Sequence, residues 1–334
     1  MKKNNFVNYL LKLLSLSALF MITITSKINA SVKIGRPVKI VSLCFENKNF
    51  EDIIQIIDDE GKKEVDIIVL PETWRGQISP ETLDGETIST LSKLAKKHNT
   101  YILSPIDRKE GKSRLNTAVL IDRKGEIVFT YDKIYPYWSE FDLDPPVDPG
   151  TNTNMVYSAD FGKIGVAICY DANFPELWQV LRDQGAEIVF WSSAYSAGTQ
   201  LKAYSLLHHY YIVTSTYSRD CQVYDITGER IFDMSGNNIT IAHITLDLDR
   251  GIYHENFNLG KLQNLLENHG NEIEKESAMP REQWFVLRSI KPGVSARQLA
   301  KEFNMEELVD YQNRSRKEID KKREFQVREN NLSE

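Results

Sequence analysis

The chain has 334 residues, of which 41% are hydrophobic and 26% charged, the balance of a globular protein with one large α/β domain or two ordinary ones. Its formal charge of −6 argues against a nucleic-acid partner, which needs a basic face. Only Cys44, Cys169 and Cys221 are present, which excludes a disulfide scaffold and leaves at least one thiol free.

The first thirty residues read as a secretory signal. Lys2 and Lys3 give the positive start, Leu13 to Ser26 is uncharged and mostly apolar, and Ile28-Asn29-Ala30 ends in a small residue. That pattern predicts cleavage and a periplasmic or secreted protein, with an uncleaved anchor as the alternative. Fourteen uncharged residues fall short of the roughly 20 that span a bilayer, so no stable membrane insertion is expected after cleavage. Removing residues 1–30 takes away four lysines and no acid, so the formal charge goes from −6 to −10.

Val38 to Cys44 reads as the first strand, with Cys44 a core residue, and Phe50 to Glu64 as an amphipathic helix with Ile53, Ile54, Ile56 and Ile57 on its apolar side. Val65 to Leu70 is a buried strand ended by Pro71, and Glu72 follows at the strand's C-terminal end, where open α/β sheets gather their chemistry. A solvated turn residue is the plain alternative for Glu72. Thr87 to His98 is helical and Thr100 to Pro105 a strand. Leu115 to Asp122 and Ile127 to Tyr131 flank the turn Arg123-Lys124-Gly125-Glu126 as a hairpin. The hairpin runs into Lys133 amid aromatic residues, which alone would read as an edge charge, and then into a loop marked by Pro145, Pro146 and Pro149.

Ile164 to Ile168 is an apolar run that delivers Cys169 to an acidic, proline-bearing turn, with a helix over Leu177 to Gln184. A strand that stops before a helix exposes its last side chain and points backbone N–H groups at it. That suits a nucleophilic thiol and an oxyanion, and predicts a thiol of lowered pKa. Strands follow over Ala186 to Trp191, Ile212 to Thr216, Cys221 to Tyr224 and Thr240 to Leu246, with a helix over Gln200 to Tyr211. After residue 258 the chain becomes mainly helical: Leu259 to Asn268, Ala296 to Phe303 and Met305 to Glu324, with one possible strand at Gln283 to Arg288. The last two helices resemble a helix-turn-helix, but the negative charge and expected export favour a packing or dimer-clasping tail.

Glu72, Lys133 and Cys169 thus each end an apolar strand, and they can supply a base, a cation and a nucleophile for attack on a carboxamide or nitrile. Leu70-Pro71-Glu72, the run Leu115 to Asp122 with Gly125 and Tyr131-Asp132-Lys133, and Ile168-Cys169-Tyr170-Asp171 with Phe174-Pro175-Glu176 resemble the three motifs of the nitrilase, or carbon–nitrogen hydrolase, superfamily. The resemblance spans about Val38 to Asn258. It implies a four-layer α-β-β-α sandwich, here with a helical C-terminal extension over residues 259–334, that assembles as a homodimer or higher homo-oligomer. It further implies Cys169 as nucleophile, Glu72 as general base and Lys133 with the Tyr170 backbone N–H as oxyanion holders. Glu140 resembles the second glutamate that positions substrate and lysine, while Asp171 and Glu176 would tie down the turn after the cysteine. Neither a metal nor an organic cofactor is implied.

The substrate implied is a small amide or nitrile. Members acting on N-carbamoyl amino acids carry arginines where this chain has Ala172 and Asn173, which weakens that reading, although Arg75 stands close enough in sequence to substitute. Trp138, Asn173, Trp191 and Tyr195 are the expected substrate-binding residues, in an aromatic pocket with few charges suited to a neutral amide. A catalytically silent binding protein is the reading from another class, opposed by the intact trio.

Overall fold

The computed structural model describes residues 33–76 and 79–332; the expected signal segment lies outside the described residues. Two six-stranded sheets form the centre. The first is built from β1 (Pro37–Phe45), β2 (Ile67–Val69), β3 (Tyr101–Glu110), β4 (Ser113–Ile121) and β5 (Ile127–Asp132), joined at the β1 edge by a later strand, Ile239–Asp247. β1, β2 and β3 run parallel because α1 (Phe50–Gly61) and α2 (Glu86–His98) make the crossovers. β4 and β5 pair antiparallel as the expected hairpin. Gly125 in its turn has φ +80° and lies so close to Ser92 that a Cβ would come within 2.4 Å of the Ser92 carbonyl oxygen, so only glycine fits.

The second sheet repeats the plan. Its strands are β6 (Val156–Ser158), β7 (Lys163–Ile168), β8 (Ile188–Ser193), β9 (Tyr211–Thr216), β10 (Asp220–Tyr224) and β11 (Arg230–Ser235). Parallel β7, β8 and β9 are linked by α3 (Pro175–Asp183) and α4 (Gly198–His208). β12 is the strand Ile239–Asp247 that returns to β1.

Alternation along β1 explains the layering. Ile40 and Cys44 face the second sheet, in a core with Val166, Phe190, Ile212 and Val223. Val41, Leu43 and Phe45 face the helices, in a core with Ile53, Ile57, Leu91 and Ala95. Leu177, Trp178 and Leu201 bring α3 and α4 onto the other side. The order helix, sheet, sheet, helix is the four-layer sandwich. All three cysteines are free and buried, with Cys44 in the core between the sheets.

The C-terminal region differs in detail from its sequence reading. It starts earlier, with β13 (Gly251–His254), and residue 258 falls inside α5 (Glu255–His269). β14 (Ile273–Met279) and β15 (Trp284–Ser289) join β13 in a three-stranded antiparallel sheet. The charge-rich sequence of β14 hid its pairing. α6 (Ala296–Glu302) and α7 (Leu308–Leu332) follow, and Tyr253, Leu265, Phe285 and Ala300 make a third small core. Val286 and Leu308 reach into the central core, so this region packs as part of the molecule. Among the described residues, no helix is long and apolar enough to cross a membrane.

Candidate active site

Glu72, Lys133, Glu140 and Cys169 line one cavity of about 800 Å³ at the C-terminal ends of β2 and β7. Leu70 ends the β2 segment with its N–H on the Leu103 carbonyl, and the turn after Pro71 aims Glu72 inward, 5% exposed. Lys133 follows β5 and is 1% exposed, its own N–H donating to the Asn116 carbonyl at 2.8 Å. Its Nζ donates to Glu72 Oε1 at 2.8 Å and to Glu140 Oε2 at 2.5 Å. Glu140 sits in a 3₁₀ turn (Trp138–Asp142) and also accepts from the Tyr137 N–H at 2.6 Å.

Cys169 opens a second 3₁₀ turn (Cys169–Asn173) with φ +47°. A left-handed conformation at a non-glycine residue costs about 1–2 kcal/mol. Asp171 holds it in place, accepting from the Ile168 N–H at 2.8 Å, the Tyr131 hydroxyl at 2.7 Å and the Tyr135 N–H at 3.0 Å. Burial nevertheless pushes the Asp171 carboxyl up to about 7. Glu176 accepts from the Tyr135 hydroxyl at 3.0 Å. The Tyr170 N–H belongs to the first turn, whose N–H groups find no acceptor within the turn itself.

The electrostatics correct one expectation. Burial and then the Glu72 charge push the Cys169 thiol well above its ordinary value; Lys133, Ser193 and the Ala194 N–H pull the other way without prevailing. The thiol in this state is protonated rather than a preformed thiolate. Burial opposes the charge on Lys133, yet the carboxylates of Glu72 and Glu140 hold its pKa above the usual lysine range. The site therefore holds an ammonium between two carboxylates, beside a thiol whose proton needs an acceptor.

Of the four expected substrate-binding residues, Asn173 and Tyr195 line the cavity and Trp138 and Trp191 do not. Trp191 is fully buried and donates from Nε1 to the Cys169 carbonyl at 3.1 Å; its β8 position turns it into the core behind the nucleophile. Trp138 is 63% exposed and stays outside the cavity, leaning on the lining residue Tyr137. Arg75 also turns away, pairing with Glu86 at 3.2 Å and stacking on Phe50, so it is no substitute for the absent arginines.

Sequence reasoning missed Asn116, whose Nδ2 donates to Glu72 at 2.8 Å and to Glu140 at 3.1 Å. Its signal was a polar residue inside the apolar run of β4. It also missed the Ala194 N–H, which donates to Glu72 Oε2 at 2.9 Å, a backbone group that no residue type announces. Asp107, Arg114, Thr73, Tyr217 and Gln200 complete the walls among others. Gln200 donates to Asn173 at 3.1 Å, and Asn173 lies 3.5 Å from the Tyr195 hydroxyl; burial pushes the Tyr195 phenol up to about 12, so it stays neutral.

The carbon–nitrogen hydrolase family model matches residues 41–251. Nitrilase homolog 2 of Dictyostelium discoideum is 33% identical over 188 residues, covering 49% of this chain and 56% of that protein. The β-ureidopropionase of Arabidopsis thaliana is 35% identical over 160 residues, covering 43% and 39%. The chain thus spans about half or less of the length of these two relatives. The deaminated glutathione amidase of D. discoideum is 27% identical over 255 residues, covering 63% of this chain and 86% of that protein. Among solved structures, a carbon–nitrogen hydrolase from Helicobacter pylori G27 aligns with a TM-score of 0.58 at 17% identity, covering 64% of this chain and 90% of that one. A mutant amidase from Nesterenkonia sp. AN1, which took up acrylamide at its active-site cysteine, aligns at 0.55 and 18% identity, covering 63% and 92%. These likenesses carry the fold. With the family model over most of the central sandwich, the chain belongs to the carbon–nitrogen hydrolase family.

Proposed function

We propose that this protein hydrolyses the C–N bond of a small carboxamide through a thioester on Cys169. One observation carries the reading: a buried thiol shares a cavity with a carboxylate that is already hydrogen-bonded to an ammonium group. Glu72 takes the thiol proton as sulfur bonds to the carbonyl carbon. The electron pair pushed onto oxygen is held by Lys133 and the Tyr170 N–H. Glu72 then hands the proton to the nitrogen, the C–N bond breaks and ammonia or an amine leaves. Water, losing a proton to Glu72, attacks the thioester carbon, the C–S bond breaks to release the carboxylic acid, and the proton returns from Glu72 to sulfur. Glu140 keeps Lys133 in place throughout.

The raised pKa of Cys169 fits this scheme, because proton transfer to Glu72 accompanies attack instead of preceding it. Nitriles and N-carbamoyl compounds are alternative substrates for the same trio; Arg75, tied to Glu86, speaks against a carbamoyl amino acid. Export through residues 1–30 and a homodimer formed through the helices beside the site belong to the same proposal. Exposed Val180 on α3 and Leu207 on α4 support the second.

Ammonia release by the purified protein is the test, over carboxamides, nitriles and N-carbamoyl compounds, with Cys169→Ala alongside. Release from carboxamides that vanishes in the variant supports the reading. Release confined to nitriles or carbamoyl compounds replaces the substrate. Silence across the panel makes a binding protein the better account.

A further inference from the structure

The charges that line the cavity are unequal. Among the described lining residues, Glu72, Asp107 and Glu140 face only Lys133 and Arg114. Both cations are already committed. Lys133 lies between Glu72 and Glu140. Arg114 forks onto Asp107 from Nε at 2.9 Å and Nη2 at 2.5 Å, and its Nη1 donates to the Pro145 carbonyl at 3.3 Å. The remaining described lining side chains are uncharged, with Asn47, Asn173, Gln200, Tyr195 and Tyr217 among those supplying the polar surface. Past Glu140, the loop that places Leu143 and Val147 in the wall carries exposed Asp142, Asp144 and Asp148.

A substrate carboxylate entering this space loses its hydration and finds, among the described lining residues, no free cation to replace it, a penalty that paired burial would have offset. An ammonium group gains instead, because a concave, low-dielectric site with excess acid concentrates cations. We infer that the substrate is an amide bearing a cationic amino group, and that the site discriminates against amides bearing a carboxylate. This rests on the amide hydrolysis proposed above and adds the charge class of the substrate. Asp107 is the specificity-determining residue, since it cancels Arg114, the arginine found among the described residues of the wall.

Hexanamide, its ω-amino derivative and adipic acid monoamide have nearly the same chain and differ in terminal charge. Steady-state kinetics of the purified protein on all three should rank kcat/KM as ammonium, then neutral, then carboxylate. Roughly tenfold or more should separate the extremes at low ionic strength, narrowing as salt rises. Asp107→Asn releases Arg114 and should raise the ratio of carboxylate to neutral amide roughly tenfold, whereas Asp107→Asn with Arg114→Gln should return that ratio toward wild type. A carboxylate amide turned over as fast as the other two by the wild-type enzyme overturns the inference and leaves amide hydrolysis standing, and this holds whether or not the variants fold. No cysteine-dependent ammonia from any of the three, or from the wider amide panel, overturns the hydrolase reading and this one with it.

Discussion

Asn116 donates one amide nitrogen to Glu72 at 2.8 Å and to Glu140 at 3.1 Å, so the two carboxylates that flank Lys133 are held by a single side chain of the neighbouring strand. Hydrogen bonds to charged groups contribute about 1.5–3 kcal/mol each. Asn116→Leu should therefore lower kcat by roughly tenfold to a hundredfold, with a smaller change in KM, because the lost contact orients the base and not the substrate. A KM rise at constant kcat would place Asn116 in substrate binding instead.

Glu72 raises the Cys169 thiol pKa by its charge, second only to burial. Neutralising it should move labelling and turnover in opposite directions. Glu72→Gln is expected to alkylate with iodoacetamide faster than wild type at neutral pH, by roughly tenfold for each unit of pKa lowered, while amide hydrolysis falls below detection. In the wild-type enzyme the labelling rate should still be climbing at pH values above those where a free cysteine has levelled off. A plateau near neutrality would mean a preformed thiolate.

The two tryptophans placed outside the cavity should separate cleanly. Trp191→Phe removes the bond to the Cys169 carbonyl and should cost about 1–2 kcal/mol of stability together with a loss of kcat. Trp138→Ala, at an exposed side chain, should shift stability by less than about 0.5 kcal/mol. Urea unfolding and steady-state kinetics on both variants make the comparison; a reversed order would mean that Trp138 closes over the cavity in solution.

Burial, aided by Arg182, lowers both His208 and His209 to about 4. The unfolded chain, with histidine near 6.5, binds more protons than the native one between those values. Stability from this pair is thus complete above pH about 6.5 and is lost as pH falls toward 4. Asp171, raised to about 7 by burial, runs the other way, its contribution fading as pH rises from about 4 to 7. The comparison with a variant isolates the histidines: His208→Gln should lose less stability than wild type between pH 7 and pH 5. Equal losses in urea unfolding at the two pH values would show that His208 titrates normally.

Much of this was legible in the chain itself. Strands such as Val38 to Cys44 and Ala186 to Trp191 announce themselves because a strand buried on both faces over most of its length is mainly apolar. Glu72, Lys133 and Cys169 stood out as chemically reactive groups at the ends of such strands, and the three motifs around them placed the chain in its family. β14 was hidden because its Glu-Lys-Glu sequence lies on an exposed small sheet, where burial imposes no pattern.

Which side chains share the cavity was decided only by tertiary structure, because facing depends on register, and a step of one residue along a strand turns a side chain to the opposite face. Trp191 inside β8 and Tyr195 just past its end are both aromatics on the same stretch, yet one supports the Cys169 backbone and the other lines the cavity. Arg114 and Arg75 are both cations near catalytic motifs, and only their partners, Asp107 in the wall and Glu86 outside it, determine what charge a substrate meets. The thiol pKa turned out opposite to its sequence expectation for the same reason: a strand followed by a helix predicts N–H groups at the sulfur, but burial and a neighbouring carboxylate exist only once the sheets have packed.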